Sequence, residues 1–270
     1  MSSNALRAYD SCMQRTSDSH KGDNGKVAVI GGSMHQHGAP IFSALAAQAS
    51  GVDLVFLALP AIHQQIARTH SLNFQVHPFA GDELSKKDLA PLLEMLATVD
   101  CAVIGPGLSR TPAALALIRE LIESAPCPLV LDASALQSWT LDAVKGKTAV
   151  LTPHLGELER MKIDAQDLSG AAKKSGAVIH LKGHMDRIAG PDGNIDEVKG
   201  GNAGLTVGGT GDALAGLICG LMAQGVQPTE ACETASRVIK RAGTMLYETN
   251  GFAYTTQEVI AQIPHLLHTL

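Results

Sequence analysis

Aromatic residues are scarce in this chain: one tryptophan, three tyrosines and five phenylalanines make up 3% of 270 residues. Few rings are on hand to stack on a base or a nicotinamide, so any ligand pocket is expected to be lined by aliphatic side chains and backbone. Positive charge is also in short supply. Twenty-one Lys and Arg face 26 Asp and Glu, a formal net charge of −5, which removes any general electrostatic attraction to nucleic acid or an anionic membrane. The five cysteines, Cys12, Cys101, Cys127, Cys219 and Cys232, are odd in number and include no C-x-x-C pair. They fit buried free thiols in a reducing compartment better than a disulfide framework or a zinc site. The longest uncharged apolar stretch, 213–223, is too short for a spanning helix, which needs about 20 residues. The N-terminus lacks the basic-then-apolar layout of a secretory signal. A soluble cytoplasmic protein is expected. No repeat, low-complexity tract or linker breaks the chain, so residues 1–20 are read as a polar arm or lone helix and 21–270 as one domain.

What the chain does have is alternation. Short apolar runs at 26–30, 52–59, 101–104, 129–132, 149–151 and 177–181 read as strands. Most are nearly continuous rather than alternating, the mark of strands buried on both faces. Helical periodicity falls between them, near 40–50, 61–69, 86–97, 112–124, 155–162 and 165–175, and then in succession over 212–224, 229–248 and 256–268. Strand–helix alternation of this length argues for a central, mostly parallel sheet with helices on both faces, a three-layer α/β/α fold.

The special residues fall after the strands. Gly31, Gly32 and Ser33 follow the first; Gly105, Pro106 and Gly107 follow 101–104; Asp132 ends the next; Thr152, Pro153 and His154 follow 149–151; Lys182 and Gly183 follow 177–181. Ligands of open parallel sheets bind outside the carboxyl ends of the strands, so these positions converge on one edge. Gly208, Gly209, Thr210 and Gly211 then lead to Asp212 and a helix. A flexible loop opening into a helix presents free backbone N–H groups at the positive end of the dipole and suits a phosphate. Asp212 stands where a carboxylate can take a proton from an attacking hydroxyl, and equally where a helix takes an N-cap. The dipole favours its ionised form. Gly216 and Gly220 lie four apart on that helix and suit close packing. His35, His37, His63, His70 and His77 lack the carboxylate or cysteine partners of a zinc pattern and read as structural or exposed.

Six motifs stand in fixed order: KGDNGKVAVIGGS at 21–33 with Gly38, Ala39 and Pro40 beyond it, IGPGL at 104–108, LDASAL at 131–136, LTPHLGE at 151–157, LKG at 181–183 and GGTGD at 208–212. In this order they resemble the NAD(P)H-hydrate dehydratases of the ribokinase-like superfamily, over residues 20 to 265. The resemblance implies a repair reaction: a hydrated NADH or NADPH is phosphorylated on its ring hydroxyl by a nucleotide, ADP or ATP, and then loses phosphate. Hydroxide is a poor leaving group and phosphate a good one, which accounts for a dehydratase on a kinase scaffold. It implies Asp212 as general base, with the N–H groups of Gly209, Thr210 and Gly211 stabilising the transferred phosphoryl group. It assigns Lys182, Gly183, His184, Met185, Asp186 and Gly211 to the nucleotide, and Ala39, Gly107, His154 and Asp212 to the hydrated dinucleotide. Glu157 falls where related kinases carry a glutamate tied to Mg²⁺, or it supports the turn before it. Asp132 either binds a ligand or holds that same turn. Lys182 meets a phosphate or is a solvated strand-end lysine, and His154 touches substrate or is structural. His35 and His37 sit where substrate phosphates could reach them.

The segment after Gly183, His-Met-Asp, is closer to archaeal-type members, which favours ADP as donor. A homo-oligomer is expected, and so is a separate epimerase, since only about twenty residues precede the first motif. Two other functions compete. A small-molecule kinase of the same superfamily, acting on a thiazole or pyrimidine alcohol, shares the Gly-Thr-Gly-Asp logic but fits 21–33 and 152–157 less well. A nucleotide-binding protein without catalysis is disfavoured by an intact Asp212.

Overall fold

Nine strands form one sheet in the computed structural model, which describes residue 15 and residues 17–269. In chain order the strands are β1 (Lys26–Ile30), β2 (Leu54–Leu59), β3 (Phe74–Pro78), β4 (Cys101–Ile104), β5 (Leu129–Leu131), β6 (Ala149–Leu151), β7 (Val178–Leu181), β8 (Met185–Ala189) and β9 (Ile195–Lys199). They lie side by side as β3-β2-β1-β4-β5-β6-β7-β8-β9. Strands β1 to β7 pair in parallel, and β7, β8 and β9 pair antiparallel. The helices are α1 (Gly38–Ala49), α2 (Gln64–His70), α3 (Leu89–Leu96), α4 (Pro112–Ser124), α5 (Thr140–Ala143), α6 (Leu155–Arg160), α7 (Leu168–Ser175), α8 (Thr210–Ala223), α9 (Pro228–Asn250) and α10 (Thr256–His268).

Side chains alternate across each strand, and both faces are apolar, so two cores form. Val27, Val29, Cys101 and Val103 face the layer of α1, α2, α8, α9 and α10. Ala28, Ile30, Ala102 and Ile104 face α3 to α7. This is the three-layer arrangement that continuous apolar strands demand. Strand β1 pairs with both β2 and β4, so the chain runs outward in one direction through β3 and then in the other from β4. The crevice at that reversal is where open α/β sheets bind ligands. The loops after β1 and β4 meet there, Gly32 N–H donating to Pro106 O at 2.8 Å.

Strands β3, β8 and β9 are absent from the sequence reading. β3 and β9 are the two edges of the sheet and β8 is antiparallel, so none carries the doubly buried apolar run by which the others were found. The regions 61–69 and 86–97 each open with a 3₁₀ turn before the α-helix begins. Helix α7 starts at 168 rather than 165, because Asp167 caps it by accepting from Gly170 N–H. Most of the expected N-terminal arm lies outside the described residues; of its described part, Arg15 pairs with Asp53 at 3.1 Å and His20 N–H donates to Asp23 Oδ2 at 2.7 Å.

Helix α8 lies against α1 with almost no space between their backbones. A Cβ on Gly216 would stand 2.0 Å from Ser43 O, and one on Gly220 would stand 2.1 Å from Ser50 Oγ. Only glycine permits that approach. Ser43 Oγ also donates to Asp212 O at 2.8 Å. Cys101, Cys127, Cys219 and Cys232 are free and buried, and burial pushes the Cys127 thiol up to about 12, so they are inert packing residues. Among the described residues no helix is long and apolar enough to cross a membrane.

Candidate active site

The loop before α8 is built to leave donors unused. Gly209 is the N-cap, at φ 100°, and a Cβ there would stand 2.4 Å from Phe42 Cδ2. Left-handed backbone and lack of space both require glycine. Among the described residues no backbone acceptor engages the N–H groups of Gly209, Gly211 or Asp212, while Thr210 N–H makes a long contact of 3.4 Å to Val207 O. The open donors are therefore those of Gly209, Gly211 and Asp212, with Thr210 half-committed, a small revision of the set read from the sequence. Thr256 Oγ1 donates to Gly208 O at 2.9 Å and steadies the loop from α10.

Asp212 is in the first turn of α8 and faces three charges from other strands. Asp132 ends β5, Glu157 lies on α6 and Lys182 follows β7. Lys182 Nζ is 2.7 Å from Asp132 Oδ1 and 3.7 Å from Glu157 Oε2, and a Cβ on Gly211 would lie 3.2 Å from that same Nζ. The ammonium thus bridges the buried carboxylates and the open loop; it is not a solvated strand-end lysine. Burial alone would lower its pKa, but Asp132 and then Glu157 hold it above its ordinary value. Asp212 goes the opposite way from the expectation drawn from the helix dipole. Burial, then the Asp132 charge, push its carboxyl up to about 7; Lys182 opposes and Glu157 adds to the rise. Desolvation outweighs the dipole because the first turn of α8 points into the sheet edge rather than into water.

Asp132 takes the turn-holding role of the two left open for it, and it also pairs with Lys182. It accepts from Thr152 Oγ1 at 2.8 Å, which holds the turn after β6, and from Lys182 Nζ. His154 and Glu157 form a capping box at the start of α6. His154 Nδ1 accepts from Gly156 and Glu157 N–H at 3.0 and 3.3 Å, and Glu157 Oε2 accepts from His154 N–H at 3.0 Å. Glu157 is thereby occupied by the turn and by Lys182, and its other oxygen stands 3.6 Å from Arg160 Nη2. Among the described residues no group of three or more His, Cys, Asp or Glu gathers for a metal. The reading of Glu157 as a direct Mg²⁺ ligand does not fit this donor set; the turn-supporting reading does.

A cavity of about 620 Å³ opens beside this cluster. His154, Lys182, Gly183, His184, Asp186 and Gly211 line it, with Leu205, Val207, Leu214 and Ile239 supplying its apolar wall and no Phe, Tyr or Trp among the lining residues. Aliphatic walls are what the scarcity of rings required. Two of the nucleotide residues read from the sequence have other work. Met185 opens β8 and is not in the lining. Asp186 is buried and accepts from Ser236 Oγ (2.6 Å), Gly183 N–H (2.8 Å) and His180 Nε2 (3.1 Å). Burial would raise its pKa, yet these partners hold it at about 2. It braces the Gly183–Asp186 turn from behind, although one edge of it reaches the cavity.

Among the lining residues that the sequence reading did not assign, Lys240 and Asn202 carry polar contacts. Lys240 of α9 is buried and donates to Gly183 O and His184 O at 3.0 and 3.1 Å. Asn202 accepts from Gly204 N–H and Tyr254 Oη at 2.9 and 2.7 Å. Lys240 sits in a polar helical stretch that reads as a solvated face, so no local signal marks it. On the far side of Asp212, Ala39 opens α1 and Gly107 follows β4; a Cβ on Gly107 would lie 3.3 Å from that of Ala39. These two are together, one turn of α1 from the Ser43 that bonds Asp212 O, and separate from the 620 Å³ cavity. His35 and His37 are exposed; the His37 ring lies 5.3 Å from that of His63, whose Nε2 lies 3.0 and 3.1 Å from Ser33 O and Met34 O. Ala39 and Gly107 thus lie outside the aliphatic cavity, and Asp212 is linked to both regions, by charge to Lys182 of the cavity wall and through Ser43 to α1.

The family model described as NAD(P)H-hydrate dehydratase matches residues 27–265. The chain is 35% identical over 264 residues to the ADP-dependent (S)-NAD(P)H-hydrate dehydratase of Cenarchaeum symbiosum, covering 94% of this chain and 92% of that one. It is 36% identical to the bifunctional NAD(P)H-hydrate repair enzyme of Moorella thermoacetica over 95% of this chain and 52% of that protein, so it spans about half of the bifunctional relative. Its fold superimposes on the ADP/ATP-dependent NAD(P)H-hydrate dehydratase of Bacillus subtilis, co-crystallised with ATP/Mg²⁺, at TM-score 0.82 and 24% identity, over 98% of this chain and 96% of that one. With the family model matched along nearly its whole length and a relative of its own size at 35% identity, this chain belongs to the NAD(P)H-hydrate dehydratase family.

Proposed function

We propose that this protein returns hydrated NADH and NADPH to their native forms at the expense of a nucleotide, with ADP the favoured donor. The observation that carries the reading is Asp212, a carboxylate with a pKa near neutrality standing beside unused N–H donors and within the field of Lys182, which lines the cavity. A base titrating near the working pH combines availability with driving force for proton removal. In this reading the donor's adenosine lies in the aliphatic cavity and its phosphates reach Lys182 and the N–H groups of Gly209, Gly211 and Asp212. The dinucleotide lies against Ala39, Gly107 and His154. Asp212 takes the proton of the ring hydroxyl as its oxygen attacks the terminal phosphorus. Lys182 and the loop donors offset the charge that grows on the transferred group. Inorganic phosphate then leaves from the ester as its ring C–O bond breaks and the adjacent ring carbon gives up a proton, restoring the ring double bond where loss of hydroxide would be slow. Mg²⁺ enters with the nucleotide, since on phosphates it keeps several waters and needs few protein carboxylates.

The protein works in series with an epimerase that supplies the usable hydrate epimer, and it acts as a homo-oligomer in the cytoplasm. Incubation with hydrated NADH or NADPH and either ADP or ATP tests the central claim, through recovery of dihydronicotinamide absorbance. Phosphorylation of a vitamin-precursor alcohol without hydrate turnover would reassign the protein to a small-molecule kinase, and nucleotide binding without turnover of either would remove the catalytic reading.

A further inference from the structure

Two arginines at the carboxyl edge of the sheet have no part in the chemistry above. Arg110 lies on the loop after β4, three residues beyond Gly107, and Arg160 ends α6, three residues beyond Glu157. Ser134 Oγ donates to Leu108 O at 2.6 Å and accepts from Arg110 Nε at 3.3 Å. That pair anchors the root of the Arg110 guanidinium, and no hydrogen bond among the described residues engages its outer fork.

Charge in this corner does not balance locally. Lys182 already serves Asp132 and stands close to Glu157, so Arg160 has only what remains of that carboxylate, and the Arg110 charge beside it has no carboxylate within ion-pair distance among the described residues. Arg160 Nη2 is 3.6 Å from Glu157 Oε1, beyond hydrogen-bond range. Arg160 Nη1 is buried with no hydrogen-bond partner among the described residues, a costly state for a cation unless something occupies the site in use. Burial lowers the Arg160 pKa, and the charge of Arg110 lowers it further, against Glu157 and Asp132. Neighbouring guanidinium forks with open donors match the geometry of phosphate oxygens.

Neither arginine lines the nucleotide cavity. Arg110 extends from the segment of Gly107, which the proposed function gives to the dinucleotide and which lies outside that cavity; Arg160 extends from the segment of His154, which is given to the dinucleotide and also lines the cavity. We infer that Arg110 and Arg160 together hold a phosphate of the dinucleotide substrate, either its pyrophosphate or the ribose 2′-phosphate present only in the NADPH form. The inference rests on the functional reading above.

The test uses Arg110→Gln, Arg110→Lys and Arg160→Gln in the full chain. KM and kcat are measured for hydrated NADH and hydrated NADPH, alongside calorimetric binding of NAD⁺ and NADP⁺. Arg110→Gln is the decisive variant because it touches Ser134 and not Glu157. It should raise the substrate KM about tenfold or more, the worth of a charged hydrogen bond, with KM carrying most of the change in kcat/KM and Arg110→Lys recovering part of it. A rise for the NADPH hydrate alone assigns the 2′-phosphate; an equal rise for both assigns the pyrophosphate. Unchanged KM for both, or a loss confined to kcat, overturns the inference and leaves Arg160 as a support for Glu157. If the wild type turns over neither hydrate, the functional reading fails; the arginine pair is then judged by calorimetry, where equal NAD⁺ and NADP⁺ affinities in wild type and Arg110→Gln would sink it.

Discussion

Replacing Asp212 by asparagine should make the protein slower and more stable at once. The carboxyl group has a pKa of about 7 in the folded chain against an ordinary value of 3.8, a gap of about three pH units. At about 1.4 kcal/mol per unit, an ionised Asp212 costs the folded state about 4 kcal/mol. That gap already contains the favourable interaction of the anion with the helix N-terminus, so desolvation wins outright and the variant gains about 4 kcal/mol at pH 8. The sign follows from the raised pKa. Below pH 3.8 both states hold the proton and Asp212 costs nothing; between 3.8 and 7 the unfolded chain ionises while the folded chain resists, and stability falls with rising pH. Above 7 the loss is complete and flat. Urea denaturation of wild type and Asp212→Asn at pH 5 and pH 8 reads this directly, with the gap at pH 5 less than half that at pH 8. Turnover should fall by about 10²–10⁴, and the rise of wild-type kcat/KM through pH 7 should vanish. A variant no more stable than wild type at pH 8, or a gap indifferent to pH, would refute the electrostatic account of this site.

Lys182→Met removes the cation that bridges Asp132 and Glu157. It should destabilise by about 3–5 kcal/mol, as a buried charge left unpaired does, and residual activity should rise with pH about one to three units later than in wild type; both are read from denaturation curves and a pH–rate profile. Gly216→Ala adds a methyl group where Ser43 O stands 2.0 Å away. The roughly 1 kcal/mol of helix propensity gained is outweighed by overpacking, and a net loss of about 2 kcal/mol in urea denaturation is expected.

The central sheet was legible in the sequence because β1, β4, β5 and β6 are apolar on both faces, and a strand of that kind leaves an unbroken run. Strand β9, IDEVK, has one buried residue in five positions fully enclosed, Val198, and its run looks like a turn. Strand β8 was hidden for a different reason: Met185 and Asp186 follow a loop motif and were read as ligand contacts, whereas Asp186 faces inward to His180 and Ser236. The positions of Asp132 and Lys182 on one edge were legible from strand ends, whereas Gly211 and Asp212 follow no strand and join that edge only through the fold. The pKa of Asp212 was not legible, since it depends on Asp132, eighty residues earlier, and on depth below the surface, and neither is visible in the five residues of the loop. Lys240 and Asn202 likewise acquire their roles only through contacts with distant backbone.

The contact between α1 and α8 has a mechanical consequence. Ala39 and Asp212 ride on two helices that pack main chain to main chain at Gly216 and Ser43, meet again at Gly220 and the Ser50 hydroxyl, and are stitched by Ser43 Oγ to Asp212 O. The distance from Ala39 to Asp212 is thus set by short buried contacts, with no long flexible side chain in the path. Thermal motion can shift the pair as a block and still leave the aim of the base unchanged. The same stiffness turns α8 into a lever: a disturbance at Gly220, more than two helical turns from Asp212, is delivered to the reacting proton rather than absorbed on the way.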